Sequence, residues 1–288
     1  MRESPLPDLA VIGWPLTRTF SPPMQMAALG AAGLDWRYLA IPVPTDGLSE
    51  FLSRATWEMK GFNVTMPHKV PVLHYCSDLD PLAAASGAVN TVLCKGNRLE
   101  GHNTDGPGLV KALESRLGFR TKGSSVLILG AGGAASACAA ALGQSGASKV
   151  VISNRTLSRA ARVALRLEAC YPRTVWAAVS MENLISVGTK AFDLVVNCLP
   201  EEASHVISTA VLEDARREGA VFCDLNYSNL PTRLESEARR IGYAIVPGLE
   251  VLLWQGVYGF EIFTGETAPV EHMKGALTSL VGQWWLER

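Results

Sequence analysis

A short apolar run, Val126–Leu129, passes directly into Gly130-Ala131-Gly132-Gly133-Ala134-Ala135, and an alanine-rich stretch continues to Gln144. No other segment limits the fold as tightly. A strand that ends in G-x-G-x-x-A and opens a helix is the first βα unit of a nucleotide-binding sheet. Each small residue has its own task. Gly130 permits the tight turn, Gly132 lets the backbone approach a pyrophosphate, and Ala135 allows close packing of helix on strand. The helix N-terminus directs its N–H groups and the positive end of its dipole at the phosphates. Gly130, Ala131, Gly132, Gly133 and Ala134 are therefore expected to hold a dinucleotide. The simpler reading is an ordinary tight βα turn.

The rest of the chain alternates in the same manner. Lys149–Ser153, Phe192–Asn197, Ala220–Asp224 and Tyr243–Val246 read as buried strands with helical patterns between them. Such alternation implies an α/β fold with a parallel sheet and right-handed crossovers. Upstream, Leu9–Gly13, Trp36–Val43 and Gly61–Met66 read as strands, and Gly47–Arg54 as a helix. Ser21-Pro22-Pro23 opens a helix with serine as N-cap, and Pro67 stands at another helix start. Ala88–Leu93 and Arg98–Gly101 suit an antiparallel pair around Lys95-Gly96-Asn97. A helix is expected from Asp105 to Leu117, and the polar stretch Gly118–Ser124 marks a junction. Leu249–Phe263 and Val270–Trp285 are helical by pattern, and Trp284-Trp285 reads as packing.

Composition narrows the function. The chain has 288 residues, 26 basic against 27 acidic, for a formal net charge of −1. Lysine and arginine form no run, so no nucleic-acid partner is expected. No apolar stretch of about 18 residues exists to span a bilayer, so no membrane partner is expected either. The charged, proline-containing start Met1–Pro7 is unlike a signal peptide. The six cysteines are scattered without a C-x-x-C pair, which favours neither a metal site nor a disulfide framework. A cytoplasmic location is the simplest expectation, with a monomer or homodimer equally open.

The end of the second nucleotide-sheet strand selects the cofactor. An NAD site places Asp or Glu there for the ribose hydroxyls. This chain has Asn154-Arg155-Thr156, with Arg159 close behind. Two guanidinium groups and a hydroxyl suit a 2′-phosphate, so NADP is expected. The plainer reading is a solvated helix start.

Four polar clusters in the first half come after apolar runs, where α/β proteins place ligands. They are Thr19-Phe20-Ser21-Pro22, Asn63-Val64-Thr65-Met66-Pro67-His68-Lys69, Gly87-Ala88-Val89-Asn90-Thr91 and Asn103-Thr104-Asp105-Gly106. With the glycine loop, Asn154-Arg155-Thr156 and Trp254-Gln255-Gly256, the chain resembles the shikimate dehydrogenases over nearly its whole length. The resemblance implies an N-terminal α/β substrate domain (residues 1–105, rejoined by 250–288) and a Rossmann-like NADP domain (residues 106–249), with the active site in the cleft between them. It implies NADPH-dependent reduction of 3-dehydroshikimate to shikimate. Lys69 and Asp105 match the catalytic pair. Thr19 and Ser21 match hydroxyls that bind the substrate carboxylate, and Tyr227 matches a tyrosine beside it. Asn63, Thr65, Asn90 and Gln255 match residues that contact the substrate's hydroxyls or ring. Asn154, Arg155, Thr156, Arg159, Gly248 and the glycine loop match the cofactor site.

Elementary chemistry supports the same pair. Hydride reduction of a ketone leaves an alkoxide that needs a proton, and a lysine oriented by a carboxylate supplies one. An isolated lysine reads otherwise, as a solvated surface cation. His68 and His102 adjoin the pair and read as structural, and His74, His205 and His272 have no metal-ligand spacing. Three places depart from the family pattern. Thr19 replaces a serine. Asn197-Cys198-Leu199-Pro200-Glu201-Glu202 replaces Asn-Ala-Thr-Ser-x-Gly-Met, so Glu201 and Glu202 fall near where the cofactor should lie, either repelling its phosphates or pointing to solvent. Gly248-Leu249-Glu250-Val251-Leu252 replaces Gly-x-Gly-Met-Leu. These departures keep open a quinate or aminoshikimate-type paralogue, and a weakly active binding or regulatory relative.

Overall fold

The run Leu9–Gly13 forms β1 and is buried along its whole length, the pattern of a strand covered on both faces. The computed structural model describes residues 5–16, 19–187 and 191–286. After β1 come α1 (Ser21–Ala31), β2 (Tyr38–Pro42), α2 (Leu48–Glu58), β3 (Gly61–Val64), β4 (Asp78–Leu79) and α3 (Pro81–Ser86). The next elements are β5 (Thr91–Lys95), β6 (Arg98–His102) and α4 (Asp105–Leu117). These strands form one sheet in the order β2-β1-β3-β5-β6-β4. β1 is parallel to β2 and β3, whereas β5 is antiparallel to β3 and β6. The hairpin around Gly96 therefore forms as expected, with its first strand at Thr91–Lys95 in place of Ala88–Leu93.

The second sheet takes β7 (Ser125–Leu129), β8 (Lys149–Asn154), β9 (Val175–Ser180), β10 (Phe192–Asn197), β11 (Arg216–Asp224) and β12 (Ala244–Val246). Its helices are α5 (Gly133–Gln144), α6 (Leu157–Cys170), α7 (Thr209–Ala215) and α8 (Arg233–Arg240). The order is β12-β11-β10-β7-β8-β9, and every pairing is parallel. Strand order reverses between β7 and β10, which makes a crevice at their carboxyl ends. The glycine loop leaves β7 at that point. The last helices, α9 (Gly248–Thr264) and α10 (Val270–Val281), return to the first sheet. There Leu253, Phe260 and Leu277 share a core with Leu9, Met24 and the fully buried Trp285.

Local differences from the sequence reading have physical causes. β9 is a sixth strand absent from that reading. It lies at the sheet edge and is only partly covered, so it lacks the buried-strand signature. No helix begins at Pro67. Residues 66–70 turn, and a short 3₁₀ helix spans Pro71–Tyr75. Helix α1 starts at Ser21, with Phe20 rather than the serine in the capping position. No helix among the described residues is long and apolar enough to cross a membrane.

Helix α4 joins the two sheets and packs on a helix from each side of the junction. A β-carbon at Gly106 would lie 2.6 Å from the Ala137 carbonyl oxygen and 2.7 Å from the Ala141 Cβ of α5. One at Gly108 would lie 2.8 Å from the Gln255 backbone nitrogen of α9. A second tie comes from α6. Arg166 donates to the Ser86 carbonyl and to the Ser136 hydroxyl, and the Ser136 hydroxyl donates to the Ser86 carbonyl at 2.6 Å. Gly106→Ala should force the α4–α5 contact apart and destabilise the fold by about 1–3 kcal/mol. Thermal or urea unfolding of the variant checks this; an unchanged midpoint would show that the junction has slack.

Candidate active site

Lys69 lies just past β3, and Asp105 occupies the first turn of α4. Their side chains meet at 2.6 Å (Nζ to Oδ2) and are only 17% and 13% exposed. A negative group at a helix N-terminus is favoured by the helix dipole. The other carboxylate oxygen, Oδ1, accepts from Asn90 Nδ2 at 2.8 Å. The second Asn90 N–H goes to Thr104 Oγ1 at 2.9 Å. Asn90 Oδ1 in turn accepts from the Thr104 backbone at 2.8 Å and from the Thr91 hydroxyl at 3.1 Å. An amide has two donors and two acceptor sites, so Asn90 is saturated within the protein. It lines the cavity, and it also clamps Asp105.

The pair borders a cavity of about 200 Å³ between the two sheets. Every predicted catalytic and substrate residue lines it: Lys69, Asp105, Thr19, Ser21, Asn63, Thr65, Asn90, Tyr227 and Gln255. Ala134 and Gly248 join them from the cofactor side. Thr19 Oγ1 accepts from the Ser21 backbone at 3.2 Å, so the two hydroxyl residues share one turn. The Tyr227 ring lies 5.3 Å from that of Phe20, tilted by 44°. Gln255 donates to the Leu252 carbonyl at 2.9 Å. His68 turns away into the core, fully buried, with its Nε2 2.7 Å from the Val43 carbonyl. His102 faces Asp80 across 3.4 Å. Neither histidine lines the cavity.

The glycine loop fits a pyrophosphate. Gly130 has φ +113°, a conformation that favours glycine. A β-carbon at Gly132 would meet nothing within 4 Å, so the protein itself leaves that approach open. Helix α5 has no side-chain cap and no acid in its first turn, which leaves N–H groups for an outside acceptor. Gly133 brings the loop against Lys69: its β-carbon would lie 3.1 Å from Lys69 Cβ. At the end of β8, Asn154 Nδ2 donates to the Thr156 carbonyl at 3.0 Å. Arg155, Thr156 and Arg159 are exposed there. Their charge and position suit a 2′-phosphate.

The residues that depart from the family pattern have clear places. Asn197 donates to Asp224 Oδ1 at 2.9 Å and to the Ser204 hydroxyl at 3.2 Å. Residues Glu201–Val206 form a 3₁₀ helix, and Glu201 and Glu202 are both exposed. Glu250 does not line the cavity and accepts from Trp254 Nε1 at 3.3 Å. Val251, its neighbour, faces the cavity instead. Burial raises the Glu250 pKa.

Two groups near the site escaped the sequence reading. Asp224, at the end of β11, is 1% exposed. Its carboxylate accepts from Thr232 at 2.6 Å and from Asn197 and the Asn226 side chain at 2.9 Å. Burial raises its pKa despite these bonds. It anchors the segment that carries Leu225 and Tyr227 to the cavity. The other is Tyr38, whose hydroxyl donates to Asn63 Oδ1 at 2.7 Å. Neither sits in a recognisable motif; an aspartate ending an apolar strand was the only available signal. Among the described residues, no three His, Cys, Asp or Glu side chains converge as metal ligands.

Comparison with known proteins gives the family. A family model described as the shikimate dehydrogenase substrate binding domain matches residues 11–92. One described as shikimate / quinate 5-dehydrogenase matches residues 111–237, and the shikimate 5′-dehydrogenase C-terminal domain matches residues 248–278. A shikimate dehydrogenase (NADP(+)) of Geobacter sp. (strain M21) is 39% identical over 271 residues, 93% of each chain. One from Methanopyrus kandleri is 38% identical, covering 93% of this chain and 94% of the other. Shikimate 5-dehydrogenase from Thermus thermophilus, solved with NADP(H) and shikimate, superposes with a TM-score of 0.81 at 33% identity. That match covers 94% of this chain and 98% of the other. The chain belongs to the shikimate dehydrogenase family.

Proposed function

We propose that this chain reduces 3-dehydroshikimate to shikimate with NADPH, and catalyses the reverse oxidation with NADP⁺. The observation that carries the reading is the Lys69–Asp105 ion pair, set in a cavity whose walls include both the predicted substrate residues and the phosphate-loop side. NADPH supplies the hydride when bound. The chain's own groups do the rest. Lys69 Nζ has three donors and spends one on Asp105, leaving two for the carbonyl oxygen. It stabilises the negative charge that develops there and delivers the proton. Asp105 holds the ammonium in place, and the Asn90 clamp holds Asp105. Thr19 and Ser21 offer hydroxyls to the substrate carboxylate, with Tyr227 nearby. Thr65 and Gln255 contact its ring hydroxyls. Arg155, Thr156 and Arg159 bind the 2′-phosphate, with Asn154 shaping their turn.

Oxidation of shikimate with NADP⁺, monitored by the absorbance of reduced nicotinamide, tests the reading directly; no turnover with shikimate would overturn it. Lys69→Ala should lower kcat by roughly 10²–10⁴, the usual contribution of a general acid, with substrate affinity less affected. Asp105→Asn should also be severe, since it removes the charge that orients the ammonium. Wild-type kcat in Lys69→Ala would remove this lysine from the mechanism.

Cofactor choice gives an independent measurement. Arg155→Ala should raise KM for NADP about 10–100-fold, the value of a hydrogen bond to a charged group, while KM for NAD changes little. An equal loss with both cofactors would mean that the arginine does not read the 2′-phosphate. The exposed Glu201 and Glu202 are screened at physiological salt, where the Debye length is about 8 Å. The double change to glutamine should therefore leave Kd for NADP within about twofold at that salt. A large tightening that fades as salt rises would show that the two carboxylates repel the phosphates.

A further inference from the structure

Behind the cavity wall lies an unbroken run of hydrogen bonds. The run starts at the buried phenol of Tyr38, on β2. Tyr38 donates to Asn63 Oδ1 at 2.7 Å. Asn63 Nδ2 donates to Thr91 Oγ1 at 2.9 Å, and to the Asn90 carbonyl at 3.3 Å. Thr91 donates to Asn90 Oδ1 at 3.1 Å, and Asn90 donates to Asp105 at 2.8 Å. Asp105 then holds Lys69. Tyr38 and Thr91 are 1% and 0% exposed and do not line the cavity.

The direction of each bond comes from counting donors and acceptors. A phenol has one proton, and Tyr38 gives it to Asn63. Both Asn63 N–H groups are taken by Thr91 and the Asn90 carbonyl. Only one capacity of Asn63 is left for the cavity, the second acceptor site on Oδ1. At that point the site therefore accepts a hydroxyl proton and has no donor to offer a carbonyl or ether oxygen. Thr91 has one proton as well and gives it to Asn90 Oδ1, beside the Thr104 backbone N–H, and together they leave the Asn90 N–H groups to Asp105 and Thr104 Oγ1. If the Asn90 amide turned over, its oxygen would face the Asp105 carboxylate. Burial pushes the Tyr38 phenol well above the usual tyrosine range, so it remains a donor throughout the working pH range.

We infer that Tyr38 and Thr91 are positioning residues: they fix the directions of the Asn63 and Asn90 amides, so that Asn63 reads a substrate hydroxyl and Asn90 keeps a donor on Asp105. The substrate half of this inference rests on the reading of a polyhydroxylated ring acid given above. The two halves make different kinetic demands. Tyr38 acts through a substrate-reading group, and Thr91 acts through a group that holds the catalytic pair.

Three variants test it: Tyr38→Phe, Thr91→Val and Thr91→Ser. Tyr38→Phe should raise KM for shikimate roughly three- to tenfold, the worth of one hydrogen bond, with kcat and KM for NADP within about twofold. Thr91→Val keeps the shape and removes the hydroxyl. It should lower kcat about tenfold or more through the loosened Asp105, and Thr91→Ser should restore most of it. A merely structural role predicts something else: a lower unfolding midpoint, equal losses in kcat and in both affinities, and no rescue by serine. That pattern would overturn the inference. A readout without substrate separates it from the functional reading. The side-chain amide protons of Asn63 and Asn90 should exchange slowly with solvent in the wild-type chain by NMR, and both should exchange faster in Thr91→Val. If shikimate is not turned over but this exchange pattern holds, the substrate assignment fails and the relay stands. If exchange at both amides is unchanged in Thr91→Val, the relay fails whatever the substrate.

Discussion

The contact between Lys69 and Asp105 makes the strictest demand on this structure. Two charges mostly withdrawn from water lose hydration, and their mutual attraction compensates only when the remaining lone pairs and protons are also satisfied. Here they are. Asn90 occupies one carboxylate oxygen, the Asp105 backbone N–H is received by Asn103 Oδ1 at 3.1 Å, and Asn103 is itself fixed by the Ala88 carbonyl at 2.8 Å. The helix dipole adds a favourable field for a carboxylate in the first turn of α4. The cluster Asn103-Thr104-Asp105-Gly106 is thus a chemical unit: two residues that saturate their neighbours, one charge, and one position without a side chain.

That last position shows why the pair also depends on packing. Asp105 stands where α4 begins, and α4 can lie between α5 and α9 only because Gly106 and Gly108 let backbones approach. The same approach brings the start of α5 beside Lys69, through Gly133. Hydride transfer requires cofactor and substrate to be held at near-contact distance. The chain meets this need with backbone proximity at three glycines, two of them on one helix, and does not rely on long side chains reaching across a cleft. The Arg166 tie to Ser86 fixes the segment that continues to Asn90, so the clamp on Asp105 is referenced to the cofactor sheet as well.

The sequence discloses the parts of this arrangement whose chemistry is local. The glycine loop, the polar clusters after β1, β3 and β6, and the arginines after β8 each compress a turn and a ligand contact into a few residues, so they are legible without a structure. Most strands of the second sheet are legible too, because burial on both faces leaves continuous apolar runs. β9 is not, since an edge strand is covered incompletely. Tyr38 is invisible for a different reason, and Thr91 is visible only as the last residue of the Gly87–Thr91 cluster, without a role of its own. Each is an ordinary strand residue by composition, and its role exists only in the partner its hydroxyl meets across neighbouring strands. Asp224 belongs to the same class: an acid that ends a strand is usually a solvated end, and only the convergence of Thr232, Asn197 and Asn226 makes it a buried anchor.

That anchor also governs the altered segments. In Asn197-Cys198-Leu199-Pro200-Glu201-Glu202, the asparagine donates to Asp224 and Ser204, and its side-chain oxygen accepts from the Leu199 backbone at 3.2 Å. The turn out of β10 is therefore held from its first residue, whichever side chains come after it. Leu199 is buried, while the two glutamates start a 3₁₀ helix on the exposed side. Glu250 repeats the pattern on α9: its partner is Trp254, one helical turn further on, and Val251 takes the cavity-facing place. None of the three acids lines the cavity. The substitutions change the composition of the two segments that border the cofactor side, and they leave the polar lining of the substrate cavity as the motifs predict.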